Sequence, residues 1–168
     1  MRSLISVTLT TTMALSINVC VCEEPAKSPA NDIQIKADNM RYDTSHKHAD
    51  ASGNARLSYK VKDSLVTLKS NELHAEFDDK GNLTEAIAEG SVEIEYGETK
   101  LYATKCIHHF DTNVAVCTGD DVHLIQEKNE VHGREANLDI GTHVFTMQAS
   151  QEDQVTCVVY PKQKEDKQ

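Results

Sequence analysis

Basic residues are scarce in this 168-residue chain: 17 Lys and Arg stand against 27 Asp and Glu, a formal net charge of −10. A nucleic-acid binder needs a basic face to displace phosphate counterions, so that class is excluded. Docking on an anionic membrane through a polybasic patch is excluded for the same reason. Tryptophan is absent and aromatics make up 5% of the chain, which with 39% hydrophobic residues is too little for a thick core. No stretch beyond the first two dozen residues repeats its apolar positions every 3.6 residues, so helices are not expected. The sequence also lacks a Gly-rich phosphate loop and a nucleophile elbow, and beyond residue 22 it has no closely spaced cysteine pair.

What is present is alternation and repetition. An aromatic-Asp pair ends one short alternating strand, and a small-Gly step starts another: Tyr42-Asp43 then Ser52-Gly53, Phe77-Asp78 then Glu89-Gly90, Phe110-Asp111 then Thr118-Gly119. Small residues at positions 37, 70, 103 and 133 (Ala37, Ser70, Ala103, Gly133) open the units, 33, 33 and 30 residues apart. Such a period means one β-supersecondary unit stacked about four times. The expected fold is therefore all-β: an open two-sheet β-jellyroll of about four stacked antiparallel units and about 14–16 short strands. A solenoid or β-helix is the other architecture that fits. The first strand is placed at Ile33–Ala37 and the last at Val155–Tyr160, closed by Pro161.

The ends read differently. Met1-Arg2 followed by an apolar run to Val21, interrupted by Thr and Ser, reads as a cleaved signal peptide over residues 1–22. An uncleaved anchor and a lipid-carrying cysteine are the weaker alternatives. Residues 23–32 read as a flexible lead-in, 33–161 as the β-domain and 162–168 as a charged tail. Cleavage leaves Cys106, Cys117 and Cys157, an odd number. They are read as half-buried small side chains, with a cross-strand Cys106–Cys117 disulfide as the alternative.

Candidate chemistry is thin. Asp43, Asp78 and Asp111 recur with the repeat, as turn-forming aspartates do and catalytic ones do not. The eight histidines include His46 and His48 two apart, but no dense ligand motif, so neither a metal nor a catalytic residue is expected. No cofactor and no enzymatic activity are assigned. The remaining feature is the set of apolar residues of one parity, small and medium in size. Two sheets that cannot fill the space between them leave an apolar groove.

These features resemble the OstA-like family across about residues 33–161. The resemblance rests on Ile33-Gln34-Ile35-Lys36-Ala37-Asp38, Gly53-Asn54-Ala55-Arg56-Leu57, Cys117-Thr118-Gly119-Asp120-Asp121-Val122 and Val155-Thr156-Cys157-Val158-Val159-Tyr160-Pro161. It implies a periplasmic protein in lipopolysaccharide transport and outer-membrane biogenesis. Such a protein binds the acyl chains of lipid A and passes the lipid from an inner-membrane complex to an outer-membrane translocon. The chains are then expected to meet Ile33, Ile35, Leu57, Tyr59, Phe77, Val92, Ile94, Phe110, Leu124, Leu138 and Phe145. LptC-like and LptD-like partners would dock through the edge strands at 33–37 and 155–160, and copies would associate head to tail. Two competing expectations are an LptC-like membrane-anchored component and a packed structural or adhesive β-repeat.

Overall fold

The structure, a computed structural model, describes residues 33–150 and 154–159. The expected signal peptide, lead-in and charged tail, together with residues 151–153, 160 and 161, lie outside the described residues. The described residues form ten strands. In chain order these are β1 (Gln34–Lys36), β2 (Asn39–Asp43), β3 (His48–Val61), β4 (Ser64–Phe77), β5 (Leu83–Tyr96), β6 (Thr99–His109), β7 (Val114–Gln126), β8 (Asn129–Asp139), β9 (Val144–Gln148) and β10 (Thr156–Val158). Each long strand pairs antiparallel with the next, in the order β1-β3-β4-β5-β6-β7-β8-β10. That pairing removes the β-helix, whose strands run parallel.

The strands are fewer and longer than the expected 14–16. The difference lies at the small residues of the repeat, which are corners within strands rather than starts of strands. Pairing shifts register between Ser52 and Ala55, Lys69 and Glu72, Glu89 and Val92, Tyr102 and Lys105, and Thr118 and Val122. Each long strand bends there and continues. β1 and β2 pair with the two halves of β3, and β10 and β9 pair with the two halves of β8. The bend divides one continuous sheet into two facing layers.

Corner chemistry explains the bend. Gly90 and Ser91 have φ of 74° and 51°, a left-handed pair that ordinary side chains resist. A Cβ on Gly90 would stand 2.8 Å from Asn71 Nδ2, so the glycine is also needed for close approach to the previous strand. Gly53 meets Asp38 in the same way, and Asn54 Nδ2 donates to Asp38 Oδ2 at 2.8 Å. At Gly119 the neighbour is Thr104, with its Oγ1 2.9 Å from the ideal Cβ position. The repeat is thus a repeated corner: at Gly53, Gly90 and Gly119 a polar side chain from the preceding segment fills the space left by the glycine.

The recurring aspartates hold the hairpin ends. Asp43 accepts from the backbone N–H of Ser45 and His46, Asp78 from Lys80 and Asn82, and Asp111 from Thr112. The His46 amide, foremost, lowers the Asp43 carboxyl to about 2. These are turn aspartates, not a catalytic set.

Candidate functional site

Inward-facing residues sort by size between the layers. One layer presents Ala49, Ala75, Ala86, His108, Ala115 and Leu138 in a single cross-strand row from β3 to β8. Its second row holds Ala51, Leu73, Ala88, Cys106, Cys117 and Ala136. The opposite layer presents Ile35, Leu57, Leu68, Ile94, Leu101, Leu124, Val131 and Cys157 in register across eight strands. With strands about 4.8 Å apart, that ridge runs about 34 Å along the molecule. A ridge of bulky aliphatics therefore faces two rows made mostly of Ala and Cys. Leu57, Leu101 and Leu124 are 0% exposed, as are Ala75, Ala86 and Ala136, so the two layers close on each other.

The sequence-predicted residues fall into this interior with one exception. Leu57, Ile94 and Leu124 lie on the ridge, with Ile35 packed at its start. Tyr59 and Val92 flank it in the same layer, and Leu138 lies opposite. Phe77, Phe110 and Phe145 are partly buried against the core. Ile33 precedes β1 and is 39% exposed, outside the packed interior. The expected acyl-facing set leaves out the alanines that form the facing rows, together with Leu68, Leu73, Leu101 and His108. Their alternation was visible, but alanine does not distinguish an inner from an outer face by hydrophobicity.

Cys106 and Cys117 are directly opposed across β6 and β7 and form a disulfide, with their Cα atoms 4.0 Å apart. Both are 0% exposed. This corrects the reading of half-buried free thiols: the turn at 110–113 brings the two strands into a register that opposes the sulfurs. Cys157 is free and exposed.

The layers are joined away from the corners by a polar-aromatic seam. Tyr59 Oη on β3 lies 3.1 Å from Nδ1 and 3.2 Å from Nε2 of His108 on β6. The Phe110 ring packs on both, with centroids 5.1 Å from Tyr59 and 4.1 Å from His108. Tyr96 Oη, at the end of β5, meets His143 Nε2 at 2.7 Å, and Lys62 Nζ donates to the Gly141 carbonyl at 3.1 Å. Burial lowers the His108 imidazole to about 4 and raises the Tyr59 phenol far above its ordinary range. Both are neutral at pH 7, so neither brings a charge to the ridge.

The outer faces are polar. Lys69 bridges Glu93 at 3.2 Å and Glu95 at 3.0 Å, and Lys100 reaches Glu95 at 3.0 Å. The Lys100 hydrogen bond, then that of Lys69, lowers Glu95 to about 2. On the other layer a hollow of about 490 Å³ is lined by Arg41, Asp50, His74, Glu89 and Lys105 among others. These residues alternate with the inward alanines, so the hollow lies on the solvent side of the sheet. His46 sits in the turn before β3, bonded to Asp43, while His48 and His74 both face Asp50.

No family model matches the chain, and no curated protein matches it. Fourteen chains of solved structures do. Among them is the crystal structure of LptH, the LptA-homologous periplasmic component of the conserved lipopolysaccharide transport device of Pseudomonas aeruginosa. The match has a TM-score of 0.65 at 19% identity and covers 77% of this chain and 96% of that one. With its continuous antiparallel sheet folded into two layers, the chain has the LptA-like β-jellyroll fold.

Proposed function

We propose that the protein is a periplasmic bridge for lipopolysaccharide, holding acyl chains between its two layers while the sugar head stays in solvent. The observation that carries the reading is the unbroken aliphatic ridge from Ile35 to Val131, facing rows of alanine in an LptA-like fold. Each buried methylene is worth about 0.8 kcal/mol, so a dozen along one chain are worth about 10 kcal/mol. That sets the barrier to crossing water unshielded, and a lined interior lowers it without an energy source of its own. LptC-like and LptD-like proteins at the two sheet edges are the partners this function needs. The residues proposed to meet the chains are those of the interior, from Ile35 and Leu57 through Phe110 and Leu124 to Leu138 and Phe145.

The burial of the ridge from Leu57 to Val131 favours one second reading, a packed structural repeat that takes no ligand. Acyl entry then requires the layers to part at the Tyr59–His108 seam, whereas a structural repeat never opens. Photo-crosslinking in lipopolysaccharide-producing cells separates the two. A photoreactive side chain at Phe110, beside the seam, is expected to capture lipopolysaccharide. The same group at Glu93, on the solvent side, is expected to capture none. A folded protein with no adduct at Phe110 would leave the structural repeat as the function.

A further inference from the structure

On the outer face of β7 and β8 the register assembles three donor groups that the sequence scatters. His123 and His132 are direct cross-strand partners, their rings stacked with centroids 4.1 Å apart. Glu130 lies two residues before His132 on the same face. Its Oε2 is 3.5 Å from His123 Nε2 and 3.8 Å from His132 Nε2. One ligand atom from each of the three residues lies within 4.8 Å of the other two, and among the described residues no other such group occurs.

We propose that His123, Glu130 and His132 bind a divalent transition-metal ion of the zinc class. Metal–nitrogen and metal–oxygen bonds of about 2.0–2.2 Å in a tetrahedral shell place neighbouring donors about 3.3–3.5 Å apart. The two distances to Glu130 are already close to that. Two imidazoles and one carboxylate suit zinc, nickel or copper, and not calcium or magnesium, which take oxygen donors. The fourth position is left to water or to a group from another molecule.

Two further observations point the same way. His132 Nδ1 faces Asp121 Oδ1 at 3.0 Å, the outer carboxylate contact that fixes a ligating histidine's tautomer and leaves Nε2 free for metal. His123 Nε2 is buried and makes no hydrogen bond, although it is 3.5 Å from Glu130. A buried nitrogen without a partner is costly, and an ion between it and Glu130 supplies one. The stacked rings must open from parallel to converge on the ion, a χ2 rotation that partly exposed histidines allow. The histidines of β3 and β4 contrast with this arrangement. His74 spends its two nitrogens on separate carboxylates, Asp50 at 2.7 Å and Glu76 at 3.6 Å.

The test is calorimetric titration of the untagged protein with zinc chloride, repeated with cobalt chloride in the spectrophotometer. The wild type is expected to take one equivalent of zinc at the site and to give the intense visible bands of tetrahedral cobalt. His123→Gln and His132→Gln should each lose both signals, while Asp121→Asn weakens zinc binding by about 10- to 100-fold. A His48→Gln/His74→Gln variant should bind as the wild type does. The outward positions of these side chains leave the core intact, which circular dichroism checks. The proposal is overturned if the wild type binds no zinc, if His132→Gln binds as tightly as wild type, or if binding is lost instead with His48 and His74. It goes beyond the transport reading and stands or falls without it.

Discussion

His108 is the one histidine among the described residues that lies wholly inside, 1% exposed and held against Tyr59 and Phe110. Burial, the larger cause, and neighbouring His109 lower its pKa from the ordinary 6.5 to about 4. The unfolded chain therefore binds a proton here at a pH where the folded chain does not. Above pH 6.5 both states are neutral and the full stability is present. As pH falls from 6.5 to 4 the unfolded state gains the proton and stability declines, by up to about 3 kcal/mol. Urea melts at pH 7 and pH 4.5 measure the loss. In His108→Gln, which keeps a polar partner for Tyr59, the difference between the two pH values should shrink by most of that amount. An unchanged difference would place the pH sensitivity elsewhere. The seam is thus the acid-sensitive part of the interior, and under the proposed transport function it is also where the layers would part.

At the scale of elements, β6 and β7 form the pair that the chain has fixed covalently. The Cys106–Cys117 bridge closes a loop of 11 residues in the middle of the alanine-lined layer. By the loop-entropy estimate it is worth about 3 kcal/mol. Because both sulfurs are fully buried, reduction needs the strands to open first. We expect the urea midpoint to drop once the protein has been unfolded and refolded in dithiothreitol, and to stay unchanged on brief exposure of the native protein. A midpoint unaffected by complete reduction would mean that neighbouring packing alone fixes the pair. This element also marks how far the sequence was legible. Cys106, His108 and Phe110 alternate along the sequence and Thr112-Asn113 is a turn-forming pair, a pattern that marks two strands and the turn between them. The pairing depends on a register set by the turn conformation, with Asn113 at φ 56°, which composition does not encode. The same limit hid the His123–His132 pair. The turn is only Glu127-Lys128, and Asn129 already pairs with Gln126. That placement opposes residues nine apart in sequence. The corners were visible as a period of small residues, yet a bend that keeps its pairing and a break that ends it leave the same glycine in the sequence.

At the scale of the whole molecule the sheet leaves two open edges. The N-terminal edge is β1 and β2, and the C-terminal edge is β9 and β10, each shared between the two layers. Among the described residues nine large hydrophobics are exposed, and seven of them lie on or beside these strands: Ile33, Met40 and Tyr42 at one end, Val144, Val155, Val158 and Val159 at the other. Unpaired strand edges with apolar side chains invite another strand. Because the two ends differ, joining one to the other makes a heterologous contact that extends without closing. The join would also carry the aliphatic ridge from one copy into the next, since Ile35 begins the row and Cys157 ends it. Against this stands a net charge of −10 per copy, whose repulsion is screened over about 8 Å at physiological salt. Mass measured by light scattering should therefore rise with protein concentration, and rise further when salt is added. Deletion of residues 155–161, or Val144→Glu, should hold the protein as a monomer across the same range with its circular dichroism unchanged. Val144 and residues 155–159 lie at the rim of the sheet, so a loss of assembly without a loss of fold assigns the contact to the C-terminal edge. If both variants assemble as the wild type does, copies meet through some other surface, and a continuous track from one copy to the next is lost as the mode of transfer.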